Sequence, residues 1–244
     1  MKRLFYLLLF ICYVLQSLNA QNVKEVTFSG GAPLDTYIPS ITVPVLTEAF
    51  KRNGIEFKAL HLPSLRSLES TNSGILDGEL HRVSNFHEVS RGKYPNLIKI
   101  DSDLVHVWVV AFSTKNIKIN SWKDLKDYYV SYYRGRKNIT AALQNVVPQK
   151  QIFRVNNDKK AFELLAAGRI DIVVTERNQG NKILSGYPEF SSISEVGQLQ
   201  QSIIYSYINK KYKDLARKIA TSIDDMKKDG TFKRLFETIN NHSK

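Results

Sequence analysis

Between Asp77 and Glu88 the stretch DGELHRVSNFHE carries three acids, two histidines and one arginine. Such a set holds the donors for a metal site or for acid–base catalysis. His81 and His87, however, form neither an HxH nor an HxxxH pair, and in a segment read as irregular their spacing fixes no ligand geometry. The chain has no GxSxG, no HExxH and no phosphate-binding glycine loop, and its many serines single out no Ser/His/Asp set. No metal, cofactor or catalytic residue is assigned from the sequence.

Binding chemistry finds better material. Arg82 can grip a carboxylate through two parallel hydrogen bonds. Arg66 is a second candidate for that role, against its reading as a surface or packing residue of an amphipathic helix. Arg134-Gly135-Arg136-Lys137-Asn138 falls between a strand and a helix. It reads either as an anion site or as a solvated basic turn, with Arg134 the residue singled out. Glu176, followed by Asn178, ends a buried strand. There it either faces a cleft and pairs with a ligand cation, or is an acid favoured at a helix start. Tyr37 and Phe112 are candidate apolar walls, Asp77 completes the ligand-binding set, and Trp108 is assigned to the core.

The elements that must position these residues are legible as punctuation. GILDGELHRV (Gly74–Val83) and AGRIDIVV (Ala167–Val174) both read as a helix closed by glycine, then an apolar residue, an aspartate and a strand. Glycine suits a helix C-terminus because it accepts the positive φ that other residues resist. Ahead of the first echo, VKEVTF alternates like a strand, residues 41–53 show helical spacing before Gly54, and IEFKALHLP alternates again to Pro63. A helix over residues 64–72 follows. VHVWVVAF (Val105–Phe112) is apolar enough for a strand buried on both faces. The rhythm then restarts, with strands over 129–133, 151–155 and 170–175 and helices over 138–147 and 156–167. A strand over 202–209 and helices over 211–228 and 231–240 close the chain. This βα order favours a largely parallel sheet flanked by helices.

Composition narrows the class. MKRLFYLLLFICYVLQSLNA has a basic start, a short apolar run and a small residue at Ala20, which reads as a secretory signal peptide over residues 1–20. The only cysteine, Cys12, lies inside it, so disulfides, thiolate catalysis and Cys-bound metal are not expected of the exported chain. The net charge is +12; without Lys2 and Arg3 the 35 bases fall to 33 against 23 acids, a net +10. Those bases are scattered rather than interleaved with aromatics, so a solvated basic surface is read and no nucleic-acid partner is expected.

The sequence resembles the family 3 extracellular solute-binding proteins, related to polar amino-acid uptake. The resemblance rests on Ala32-Pro33 with Tyr37-Ile38-Pro39, Ala49-Phe50-Lys51-Arg52-Asn53-Gly54, and Leu62-Pro63 with Arg66 before Gly74-Ile75-Leu76-Asp77-Gly78. It continues through Trp122-Lys123-Asp124-Leu125, Leu164 to Asp171, and Lys228-Asp229-Gly230-Thr231-Phe232. It implies a two-lobed, type II periplasmic-binding-protein-like α/β fold, with a mixed, mostly parallel sheet in each lobe. Lobe 1 would comprise residues 21–111 and 202–244, lobe 2 residues 112–201, and the chain would cross near residues 111–114 and 195–202. The implied function is capture of a small anionic or zwitterionic ligand in the inter-lobe cleft of a monomeric periplasmic protein serving an ABC-type permease. A sensory module for a membrane receptor and a small dehydratase-like enzyme are the alternatives. Amino-acid binders of the family place an arginine in the first lobe for the ligand carboxylate and a carboxylate in the second for its amine. After Asp77-Gly78 they run through a Thr-containing segment to that arginine. Here the text is Glu79-Leu80-His81-Arg82-Val83, an arginine at another spacing, which argues against an α-amino-acid ligand.

Overall fold

A computed structural model describes residues 23–241, with side chains to residue 237. The leader read over residues 1–20, with Cys12, lies outside the described residues. The first units are β1 (Glu25–Gly30), α1 (Tyr37–Lys51), β2 (Glu56–His61), α2 (Ser64–Ser73), β3 (Gly78–Val83), α3 (Phe86–Val89) and β4 (Leu97–Lys99). Then come β5 (Val105–Ser113), β6 (Val130–Tyr133), α4 (Lys137–Leu143), β7 (Ile152–Val155), α5 (Asp158–Ala166), β8 (Ile172–Glu176) and α6 (Arg177–Gly186). The 16-residue β9 (Ser194–Asn209), α7 (Lys213–Lys228) and α8 (Thr231–Asn241) complete the described chain.

The strands form one mixed sheet in the order β2-β1-β3-β9-β5-β8-β6-β7, with β4 also on β9. Pairings at the two ends are parallel, β1 with β2 and β3, and β6 with β7 and β8. Those around β9 and β5 are antiparallel. The expectation of a mostly parallel sheet therefore holds only at the ends. The polar stretch Ser194–Gln201 extends β9 well upstream of the strand read over 202–209, because it pairs with β5 as far as Ser113.

The two echoed stretches are built alike. α2 closes on Gly74 at φ +85 and α5 on Gly168 at φ +66, as the positive-φ reading requires. The aspartate that follows then splices the incoming strand onto its parallel neighbour. Asp77 donates its N–H to the Thr27 carbonyl at 2.9 Å, and its Oδ2 accepts the Thr27 N–H at 2.9 Å. Asp171 makes the same exchange with Tyr129, at 2.8 and 2.9 Å.

Separate apolar cores flank the sheet ends. Val26, Phe28 and Leu80 of β1 and β3 pack with Leu46 and Phe50 of α1 and with Ile219, Ile223 and Met226 of α7. Around β5 and β8 both faces are covered. Val109, Ala111, Ile172 and Val174 pack with Ile139 and Leu143 of α4, while Val110, Phe112 and Val173 pack with Phe162 and Leu165 of α5. Each Val, Leu, Ile, Phe or Met side chain so buried contributes about 1.5–3 kcal/mol.

β5 is buried on both faces only from Val109 onward; His106 and Trp108 alternate outward. Trp108 is 37% exposed, with the Arg177 guanidinium 6.0 Å from its ring, and so is not core. Of the two histidines taken to lie in an irregular segment, His81 is on β3, the strand read at the end of GILDGELHRV, and His87 is on α3.

Candidate functional site

Arg82 and Glu79 would lie on opposite faces of a regular strand, since side chains alternate. The register of β3 against β9 shifts between them, and the irregularity re-aims both to one side. Arg82, 8% exposed, donates Nε–H to Glu79 Oε2 at 2.7 Å and brings Nη2 to 2.5 Å from the same oxygen. Its Nη1 donates to Ser64 Oγ at 3.3 Å. Glu79 is fully buried, and its Oε1 accepts from Ser67 Oγ at 2.5 Å and Thr71 Oγ1 at 3.5 Å. With the Ser67 proton committed, Ser29 is the donor in the 2.8 Å contact between the two serine hydroxyls. Burial raises the Glu79 pKa, against the opposing pull of Arg82 and the hydroxyls.

A second charged network starts at β6 and the turn after it. Arg136 forks onto Asp158, Nη1 to Oδ1 at 2.7 Å and Nη2 to Oδ2 at 2.9 Å, and Nη2 also pairs with Glu176 Oε2. Thr175 Oγ1 donates to Asp158 Oδ1 at 2.9 Å. Burial works against the Arg136 charge, and the two carboxylates outweigh it, so its pKa is raised.

The networks meet where the start of α2 faces the β6–α4 turn. Ser64, which accepts from Arg82, donates its Oγ–H to the Gly135 carbonyl at 3.4 Å, and the Tyr133 hydroxyl donates to the Gly31 carbonyl at 2.5 Å. Gly31 is required here: a Cβ would stand 2.7 Å from that of Ser64. Lys182 Nζ reaches the Asp35 carbonyl at 2.7 Å, and the Tyr37 N–H reaches Gln179 Oε1 at 3.5 Å. His81 has its Nε2 buried without a hydrogen-bond partner among the described residues. Its pKa is lowered to about 3, chiefly by burial and then by Arg82 and Arg136, so the ring is neutral.

The sequence candidates divide. Arg82 and Glu176 join these buried networks. Tyr37 and Asn178 meet: burial raises the Tyr37 pKa, and a hydrogen bond with Asn178 works against that rise. Arg66 and Arg134 are exposed, and the side chain turned inward from the basic turn is Arg136. Asp77 is a splice: besides Thr27 it accepts from the Tyr212 hydroxyl at 2.8 Å and pairs with Lys211 at 3.2 Å. Phe112 is fully buried against Phe162, with ring centroids 5.3 Å apart; it is core and not a wall. Asp77, Glu79, His81, His87 and Glu88 do not converge, and the described residues contain no group of three or more such side chains placed to hold a metal. Sequence reasoning missed Asp158, which follows the N-cap Asn157 and reads as an ordinary first-turn acid.

The sheet order and the pattern of flanking helices define the class: an α/β protein with the fold of the type II periplasmic binding proteins. The chain is structurally similar to the family 3 amino-acid-binding proteins at low sequence identity. One such structure is the substrate-binding protein AbpA of an amino acid ABC transporter from Streptococcus pneumoniae, bound to L-arginine. It matches with a TM-score of 0.72 and 16% identity over 90% of this chain and 95% of that one. A histidine kinase sensor domain with similarity to periplasmic binding proteins matches with a TM-score of 0.75 and 14% identity, over 88% of this chain and 96% of that one. In sequence, an uncharacterized protein of Shewanella oneidensis is 29% identical over 195 residues, 78% of this chain and 72% of that one. No protein-family model matches the chain.

Proposed function

We propose that the protein is a periplasmic solute-binding protein that captures a small polar, anionic or zwitterionic ligand and performs no chemistry on it. The observation that carries this reading is the pair of buried charged networks meeting at the junction of α2 with the β6–α4 turn, beside strand ends where open α/β sheets bind ligands. The lobes are residues 21–111 with 202–244, and residues 112–201. β5 and β9 cross between them, so that closure brings Arg82 and Glu176 to one cleft. Residues 1–20 direct export, and an ABC-type permease receives the ligand. The likeness to a histidine kinase sensor domain supports a second reading, in which the same cleft reports to a membrane receptor.

Thermal unfolding tests the reading on protein unfolded and refolded to strip carried-over ligand, against amino acids, amines and small organic acids. A ligand at one hundred times its Kd adds about 2.7 kcal/mol. For a chain of this size that raises Tm by roughly 5–11 °C. A shift with one chemical class and no product by mass spectrometry is expected; product formation would replace the binding reading with an enzymatic one.

A further inference from the structure

Resting on that reading, we propose that the ligand is an organic acid without an amino group, its carboxylate held at the corner formed by Arg82, Lys137 and Tyr94. A zwitterion needs a carboxylate in the protein for its ammonium group. The second network has two buried ones, Asp158 and Glu176, and Arg136 is paired with both. Asp158 is engaged on both oxygens and takes a third bond from Thr175. The chain's own guanidinium thus occupies the place an ammonium would take, and a ligand amine would have to displace a forked, buried ion pair.

The corner at Arg82 differs in balance: Glu79 takes Nε and Nη2 of Arg82, but Nη1 meets only the neutral Ser64 hydroxyl, and two further cations, Lys137 and Lys93, stand nearby. Lys137 begins α4, which packs against α3. It is partly buried, and its pKa is lowered by burial and by the nearby charges of Arg82 and Lys93. No carboxylate lies within ion-pair distance of Lys137 or Lys93 among the described residues. Arg82 lies 5.7 Å over the Phe86 ring, and Phe86 stacks on Tyr94 with centroids 5.8 Å apart. Tyr94 is 3% exposed, and its hydroxyl has no hydrogen-bond partner among the described residues. A buried donor left unpaired is costly, and a ligand oxygen would satisfy it. The same carboxylate would bring negative charge towards the amines of Lys137 and Lys93.

Calorimetric titration of the stripped protein with matched pairs tests this: glutarate against glutamate, succinate against aspartate, and 5-guanidinopentanoate against arginine. The proposal expects one amine-free acid to bind at least tenfold tighter than its amino counterpart, and Lys137→Ala to weaken that acid about tenfold. Tighter binding of the amino member, or an affinity unchanged in Lys137→Ala, overturns the proposal and leaves the binding function standing. Silence from every pair, where another compound of the thermal-unfolding panel raises Tm, overturns the proposal alone; silence from the whole panel overturns both. Tyr94→Phe, which keeps the ring and removes the hydroxyl, checks that any loss in Lys137→Ala is not a folding defect: it should weaken the acid several-fold at unchanged Tm.

Discussion

Arg82 and Glu176 stand at corresponding places in the two echoed units, each five residues after the aspartate that splices its strand into the sheet. Their surroundings differ. Arg82 takes its counter-ion from its own strand, and the remaining oxygen of Glu79 is satisfied by hydroxyls of α2. Glu176 takes its counter-ion from the β6–α4 turn, and that one guanidinium also serves Asp158. A local pair can lose its cation and keep an acid able to take a proton, whereas the shared network loses the partner of two carboxylates at once.

The largest effect should therefore come from Arg136→Met, with a loss of about 3–5 kcal/mol in urea unfolding, the usual result of stranding buried charge. Arg82→Met should cost less, and its deficit should shrink as pH falls, because the raised pKa of Glu79 lets the stranded carboxyl protonate. Equal losses at all pH values would erase the contrast between the two networks.

His81 sharpens it from another side. Its folded pKa of about 3 lies below the ordinary 6.5, so between those values the unfolded chain binds more protons. Stability should rise with pH across this window and fall as pH drops towards 3, by an amount on the order of a few kcal/mol. His81→Gln should flatten that slope; a slope identical to the wild type would show that another group sets it.

The splices should be more nearly equivalent. Asp77→Ala and Asp171→Ala each leave a backbone N–H without its acceptor, for about 1–3 kcal/mol each. Each also loses a lysine contact, with Lys211 and Lys115 respectively. Smallest of all, Gly74→Ala and Gly168→Ala should each cost about 1 kcal/mol for holding alanine at positive φ. A large difference within either pair would show that the echo is one of sequence and not of structural role.

Much of this architecture was legible beforehand, because periodicity and glycine placement report backbone geometry. The helix ends at Gly74 and Gly168, the strand read over 170–175 and formed by Ile172–Glu176, and the late helices follow directly from them. The first half of β9 is hidden in the sequence because Gln198, Gln200 and Gln201 give no apolar signal, although the strand is sealed by pairing with β5. The charged networks were only half visible. Arg82 and Glu176 stand out by type and place. The pairing of Arg82 with Glu79 depends on a register shift, and the choice of Arg136 over Arg134 depends on how one turn aims its side chains. The exposure of Trp108 is hidden because an apolar run does not reveal where the covering helices stop.

The most direct test of the account is calorimetric titration of the stripped wild-type protein and Arg82→Ala with whichever compound raises Tm. The account predicts saturable one-to-one binding by the wild type, weakened by about 2–5 kcal/mol in the variant, as truncating one partner of a buried charged contact does. An affinity unchanged in Arg82→Ala would contradict it, because the ligand would then lie away from the junction of the two networks.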